Sequence, residues 1–179
     1  VNSGGGPDHV VIFDTNKPTG GDVDLGAPFD LGVNATTVTG NASPGKVLII
    51  QENFTCTATH CTDPDDEGSS NAGQIELQFD TPVYLESLDV FDIEFKNNLE
   101  YPVTLYGVNG VISSNLTLPH TGNHGWDRLL IQTADVTRMV IDFGSNGGID
   151  NLVFQRNSGS GQSAPIITSA PLTSISEGG

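Results

Sequence analysis

The stretch Ile75-Glu76-Leu77-Gln78-Phe79 decides the fold class, because its apolar and polar residues alternate without a break. Successive side chains of a β-strand point to opposite faces, so this pattern predicts a strand with one buried face and one solvent-facing face. Short apolar runs rich in β-branched residues lie on both sides of it and predict further strands. These runs are residues 9–13, 46–50, 83–95, 103–108, 129–131, 136–143 and 149–154.

The pattern of short strands extends over most of the 179 residues, a length sufficient to bury a substantial core. No window of 11 residues has the apolar spacing of an amphipathic helix, and the 22 glycines suit turns between strands. The sequence therefore predicts an all-β fold, a β-sandwich of jelly-roll type.

The composition changes near the carboxyl end of the chain and predicts a domain boundary there. We expect residues 1–156 to form the sandwich and residues 157–163, which include Asn-Ser-Gly-Ser-Gly-Gln, to form a linker. Residues 164–179 resemble the opening of the cadherin-like or immunoglobulin-like repeats of large bacterial surface proteins. The sequence is therefore expected to stop where a following repeat begins.

Charge restricts the classes of partner. The chain has 22 Asp and Glu against 6 Lys and Arg, a net charge of -16. Nucleic acids and anionic membrane surfaces would be repelled by this charge, whereas metal cations would be attracted. No apolar run reaches the length of a membrane span, so none is predicted.

An acidic segment follows the second cysteine and is the strongest candidate for a cation site. Asp63, Asp65, Asp66 and Glu67 fall within five positions and would repel one another in a folded domain. Calcium prefers oxygen-rich loops of this kind, so we expect these four side chains to be calcium ligands. We also expect Asp65 and Asp66 to face the ligand of the domain. The alternative is a solvated acidic turn.

The only two cysteines, Cys56 and Cys61, precede the acidic segment. Two cysteines do not complete a structural zinc site, which takes four nitrogen or sulfur ligands, although His60 and a second histidine could supply the remainder. We favour a disulfide between them, which would indicate an oxidising extracellular compartment.

Two further oxygen-rich places lie in the amino-terminal third of the chain. Asp22 and Asp24 follow a Gly-Gly pair that lets the backbone turn its carbonyl groups inward, as irregular calcium loops do. A plain surface turn is the alternative. Glu52 lies at the exit of the apolar strand 47–50, after Gln51, and is expected to reach the same site, because loops at one end of a sandwich converge.

The segment 144–152 is the third such place, and Asp150 and Asn151 lie within it. A hairpin turn accounts for Asn146 and Gly147 but leaves Asp150 unexplained. We expect Asp150 to bind metal and Asn151 to contact the ligand. Asp92 is also expected to bind metal, and Glu94 is the next candidate. Asp89 or Asp142 could replace any of these ligands.

Catalytic signatures are scarce, and the sequence predicts a protein that is not an enzyme. It has no nucleophile elbow. The spacing of His120 and His124 would suit zinc on a helix, but a proline and two glycines make a helix there unfavourable. Paired carboxylates for glycoside hydrolysis stay an open alternative, because their separation is spatial.

Aromatic residues, which stack on sugar rings, are few. The single tryptophan, Trp126, lies in a glycine-rich segment and is a candidate ligand-binding platform. A single tryptophan in a domain of this kind is more often part of the core. Recognition through a metal ion is therefore favoured over a broad aromatic platform.

Taken in order, residues 13–25, 47–53, 63–68 and 147–152 resemble the calcium-dependent ligand-binding domains of large bacterial adhesins of the repeats-in-toxin class. The resemblance covers roughly residues 10–155. The segment between Cys56 and Cys61 is not typical of that family. The resemblance implies a β-sandwich that holds several Ca²⁺ ions on a bacterial cell surface, next to cadherin-like repeats.

The function implied is calcium-dependent adhesion without catalysis. A bound Ca²⁺ with an open coordination position would take an oxygen of a peptide or protein ligand on a host or neighbouring cell. The alternative is a calcium-dependent carbohydrate-binding module that recognises cell-surface glycans.

Overall fold

A computed structural model describes residues 10–18, 23–51, 73–94, 100–156 and 166–167. Nine strands and no helix occur in this part of the chain, which confirms the all-β prediction. The strands are β1 (Val10–Asp14), β2 (Asp30–Leu31), β3 (Lys46–Ile50), β4 (Gly73–Phe91), β5 (Pro102–Gly107), β6 (Gly110–Thr117), β7 (Gly125–Phe143), β8 (Gly148–Arg156) and β9 (Ile166–Ile167).

The strands pair in one sheet with the order β1-β3-β8-β4-β7-β5-β6. β2 pairs with β7 and β9 pairs with β4, and all pairings except β2–β7 are antiparallel. The jelly-roll sandwich itself stays a prediction.

β4 and β7, of 19 residues each, run through the middle of the sheet. The sequence predicted each of them as two strands, and the structure joins the two parts. Register shifts between Gln78 and Ser87 let extra residues bulge out without ending the ladder. On β7, Gln132 and Asp135 have positive φ angles of 48° and 61° at these shifts.

Two hydrophobic clusters lie on opposite faces of the sheet. The larger one combines residues from both halves of β4 and β7, such as Leu77, Leu88 and Met139. The predicted alternation is confirmed, because Ile75, Leu77 and Phe79 are buried while Gln78 is exposed. The smaller cluster contains Val11, Phe13, Leu25, Phe29, Val47, Ile49, Phe91 and Trp126.

Three strands were not predicted: β2, β6 and β9. β6 is mostly exposed, so its sequence has no apolar period, and its register against β5 shifts twice. β9 pairs Ile166 and Ile167 with Gln78 and Leu77 of β4, so two residues of the expected following repeat join this sheet. The domain boundaries themselves stay a prediction.

Gly147, between β7 and β8, must lack a side chain for two separate reasons. Its φ is +128°, and an added Cβ would lie 2.3 Å from Cδ1 of Ile93 and 3.1 Å from the carbonyl oxygen of Phe91. Gly110, in the β5–β6 turn, has a similar φ of +114° but nothing within 4 Å of an added Cβ. A comparison of substitutions at these two positions therefore separates the energetic cost of the backbone conformation from the cost of steric overlap.

We expect Gly110→Ala to lower the free energy of unfolding by about 1 kcal/mol, the cost of a disfavoured φ alone. Gly147→Ala should cost about 3 kcal/mol or more, because the buried Ile93 must also move. Urea denaturation of both variants measures this difference. Equal losses would contradict the steric argument.

Candidate functional site

Two groups of polar side chains stand out in the described residues. The first, which we call the Asp89 cluster, consists of Asp89, Arg128, Asp150 and Asn151. The second, the strand-end cluster, lies where β4 ends and consists of Asp92, Glu94, His124 and Asn146.

Asp89 is a residue of β4 in the middle of the sheet. Its carboxylate is buried, and the residue has an exposed fraction of 2%. Its cross-strand partners are Arg128 on β7 and Asp150 on β8. The three residues therefore form a row across neighbouring strands. A buried carboxylate needs a compensating partner, which identifies the role of the arginine in this row.

Arg128 binds both oxygens of Asp89. Its Nε donates to Oδ1 at 2.5 Å and its Nη2 donates to Oδ2 at 2.9 Å. The hydrogen bond to Asp89 raises the pKa of Arg128, and the carboxylates of Asp89 and Glu86 raise it further against the opposing effect of burial. The forked contact fixes the guanidinium plane, while the side chain stays 36% exposed.

Asn151 owes its position to a bulge in β8. The register shifts between the pairs Ser87–Val153 and Asp89–Asp150, and Asn151 has a φ of 49°. The bulge turns the Asn151 side chain toward Asp89, and Nδ2 donates to Oδ2 at 3.0 Å. This explains why two polar residues occur in succession within residues 148–154, which are otherwise apolar.

Asp150 is a half-buried carboxylate beside Asp89. Burial raises the pKa of Asp150; a hydrogen bond from the backbone of Asn151 opposes this, and the Asp89 carboxylate adds to it. Asp150 also lines an open groove of about 420 Å³. The other residues of this groove are Asp14, Asn16, Pro44, Gly45 and Lys46.

In the strand-end cluster, Asn146 holds two carboxylates. Its Nδ2 donates to Oδ2 of Asp92 at 2.9 Å and to Oε2 of Glu94 at 3.2 Å. Its Oδ1 accepts a hydrogen bond from the hydroxyl of Ser145. Asp92 has a φ of 54° and is buried, so the chain turns sharply to place its carboxylate here.

His124 links this cluster to the segment before β2. Its backbone N–H donates to Oδ1 of Asp92 at 2.5 Å. Its ring nitrogens lie 2.9 Å from the carbonyl oxygen of Asp24 and 2.8 Å from that of Pro28, and the ring stacks on Phe29. Asp24 and Asp92, two predicted metal ligands, are thus brought to one end of the sheet.

The remaining site predictions divide into two sets. Asp150 and Asn151 belong to the Asp89 cluster rather than to the strand-end cluster. Eight predicted residues lie outside the described part of the chain: Asp22, Glu52, Cys56, Cys61, Asp63, Asp65, Asp66 and Glu67.

The described residues supply only part of a calcium site. They contain no group of three or more His, Cys, Asp and Glu side chains placed to hold a metal. Asp92, Glu94 and the side-chain oxygen of Asn146 are oxygen donors of the type that calcium takes, but calcium takes six to eight. A complete site would need further oxygens from water or from other parts of the chain.

Trp126 is part of the core. Its exposed fraction is 8%, it stacks on Phe91, and its Nε1 donates to the carbonyl oxygen of Gly40 at 2.9 Å. Tyr101 is also buried. Of the two alternatives considered for Trp126, the structure agrees with a core residue. The faces of the Trp126 ring are not available to a sugar.

Sequence reasoning missed three residues of the two clusters: Arg128, His124 as a structural link, and Asn146 as a carboxylate partner. Arg128 carried a usable signal, because a chain with six Lys and Arg has few cations to pair with buried acids. Its pairing with Asp89 depends on the register of β4 and β7, which the sequence does not specify.

No protein-family model, curated protein or solved structure matches this chain. The resemblance to calcium-dependent adhesin domains therefore stays a prediction. In the described residues, no helix has the length and apolar character needed to cross a membrane.

We expect Arg128→Met to lower the free energy of unfolding by about 3 kcal/mol, because it leaves the Asp89 carboxylate buried without its cation. Adding Asp89→Asn should recover part of that loss. Urea denaturation of the two single variants and the double variant measures the interaction free energy between Arg128 and Asp89. Purely additive losses would show that the pair is not energetically linked.

A second prediction concerns pH and Asp150. A carboxyl group with a raised pKa in the folded state stabilises the fold below its unfolded value, near 3.8, and that contribution is lost as pH rises through the folded pKa. Asp150→Asn should therefore melt at a higher temperature than the parent at pH 7 in calcium-free buffer. The difference in melting temperature between Asp150→Asn and the parent should shrink below pH 4.

The exposed Asp80 provides the control, because Asp80→Asn removes one negative charge without relieving burial. A shift of equal size in both variants would attribute the effect to net charge rather than to the surroundings of Asp150.

Proposed function

We propose that this protein is a non-enzymatic, calcium-dependent adhesion module that binds a peptide or protein ligand on a cell surface. The observation that carries the proposal is the convergence of Asp92 and Glu94 on one amide group at the end of β4. Both carboxylates accept from the same Nδ2 group, and carboxylate oxygens gathered in this way are ligands that calcium prefers. Asp24 reaches the same end through its contact with His124.

The topology supports the proposal. Ile49, Gly148, Phe91 and Trp126 form one row across β3, β8, β4 and β7. β3 and β4 run in the same direction, since each is antiparallel to β8. β3 and β4 therefore finish at the same end of the sheet, where Asp92 and Glu94 follow β4.

Charge also supports calcium. With 22 acids and 6 basic residues, the chain has few cations of its own to balance its carboxylates. Asp92, Glu94 and the Oδ1 of Asn146, after rotation of its amide, are the described groups that would hold an ion here. The ion would supply a coordination position for an oxygen of the ligand, such as a peptide carboxylate.

The setting proposed for the module is extracellular, on a bacterial surface and next to adhesin repeats. This part of the proposal comes from the sequence resemblance and from the cysteine pair. The non-enzymatic assignment has the same origin, together with the absence of a hydrolase signature in the sequence.

Calorimetric titration with CaCl₂ tests the calcium site. We expect heat of binding in the parent protein and affinity at least about tenfold weaker in Asp92→Asn and in Glu94→Gln, a loss of roughly 1.4 kcal/mol each. Addition of a chelator should lower the melting temperature of the parent protein, because an ion bound only by the folded state stabilises it.

Asp80→Asn is again the matched control, since it removes an exposed carboxylate away from the end of β4 and should leave calcium affinity unchanged. Absence of calcium binding, together with a melting temperature insensitive to chelator, would refute the proposal.

A further inference from the structure

A second surface lies on the face of the sheet that carries the Asp89 cluster. β7, β4 and β8 are neighbours there, and two rows of residues cross them. The first row contains Arg128, Asp89 and Asp150, and the second contains Leu130, Ser87 and Val153. We call this surface, with Asn151 in the bulge between the rows, the outer face.

The floor of the outer face is rigid and buried. Asp89 and Ser87 are 2% and 3% exposed and alternate along β4 with core residues such as Leu88. Asp89 accepts hydrogen bonds from both Arg128 and Asn151, which fixes the two longer side chains above it. Preorganisation of this kind lowers the entropic cost of binding a ligand.

Each of the two fixed side chains has a hydrogen-bonding group that the described residues do not use. Arg128 uses Nε and Nη2 for Asp89, and its Nη1 has no partner in the described residues. Asn151 is exposed and uses Nδ2 for Asp89, which leaves its Oδ1 as an acceptor. Both side chains are held on Oδ2 of Asp89, and a donor from one with an acceptor from the other suits a hydroxyl group, which both accepts and donates.

The second row adds apolar surface beside these polar groups. Leu130 is 46% exposed and Val153 is 40% exposed, on either side of the buried Ser87. Exposed aliphatic side chains beside a few oriented polar groups are the composition typical of small-ligand sites. They can pack against the C–H groups of a sugar without aromatic rings.

Local charge disfavours an anionic ligand. Asp89 already neutralises Arg128, and the Glu86 carboxylate also acts on that guanidinium. Asp150 lies in the same row, and the whole chain has a net charge of -16. An anion would therefore be repelled, whereas a neutral hydroxylated ligand would not.

The two rows suit an extended ligand such as a single chain of sugar units. Three adjacent strands span about 10 Å, and two rows two residues apart along a strand span about 7 Å.

We propose that the outer face is a binding site for neutral saccharide chains, in which Arg128 and Asn151 bind hydroxyl groups and Leu130 and Val153 contact the sugar rings. The site lies apart from the strand-end cluster and does not depend on the calcium proposal. It also differs from the Trp126 platform considered from the sequence, because Trp126 is buried.

Binding to immobilised dextran, mannan and galactan, with anionic alginate as a fourth surface, tests this proposal. We expect at least one neutral polysaccharide to bind the parent protein. The double substitution Leu130→Ser and Val153→Ser should weaken that binding at least tenfold. Asn151→Gly, which suits the left-handed backbone but lacks the amide, should also weaken it.

The double substitution Val111→Ser and Ile112→Ser on β6 is the matched control, because these side chains are also apolar and exposed, at 59% and 43%. It should leave binding unchanged. Circular dichroism and calcium titration should be the same for the Leu130/Val153 variant as for the parent protein, which separates this site from the calcium site.

Four results would overturn the proposal. They are no binding to any of the three neutral polysaccharides, binding to alginate alone, equal losses in the outer-face and β6 variants, and unchanged binding in the Leu130/Val153 variant.

Discussion

The pairing of β4 with β7 is the constraint on which the rest of the structure depends. Each strand has 19 residues, and their register extends from Gly73 opposite Phe143 to Phe91 opposite Trp126. β5 pairs with the later part of β7, and β8 pairs with the later part of β4. Both clusters of polar side chains depend on this ladder, since it places Arg128 opposite Asp89 and brings the end of β4 to the start of β7.

The fold class and most strands could be predicted from the sequence, because burial of one face leaves a period of two in residues such as 75–79. β3 matches its predicted bounds, and β1, β5 and β8 differ from theirs by two residues or fewer. The two long strands were divided at 80–82 and 132–135, where bulges interrupt the alternation without ending the pairing. β6 left no periodic signal, since most of its residues are exposed.

Some residues of the candidate sites were predictable singly, but the groups that they form were not. Asp92, Asp150 and Asn151 were singled out because polar residues in apolar strands need a reason to be there. Their partners come from distant positions, such as Asn146 for Asp92 and Asp89 for Asn151. Cross-strand register and a bulge decide these pairs, and neither can be deduced from local spacing.

β6 has a consequence for how this protein behaves in concentrated solution. Among the described strands it lies at the edge of the sheet, in a stretch, residues 101–126, that contains no Asp, Glu, Lys or Arg. Such an uncharged edge is normally a template for aggregation. The two register shifts against β5 make β6 irregular, and irregularity of this kind opposes the addition of a strand from a second chain. Backbone shape, rather than charge, is therefore the feature of this edge that opposes strand addition.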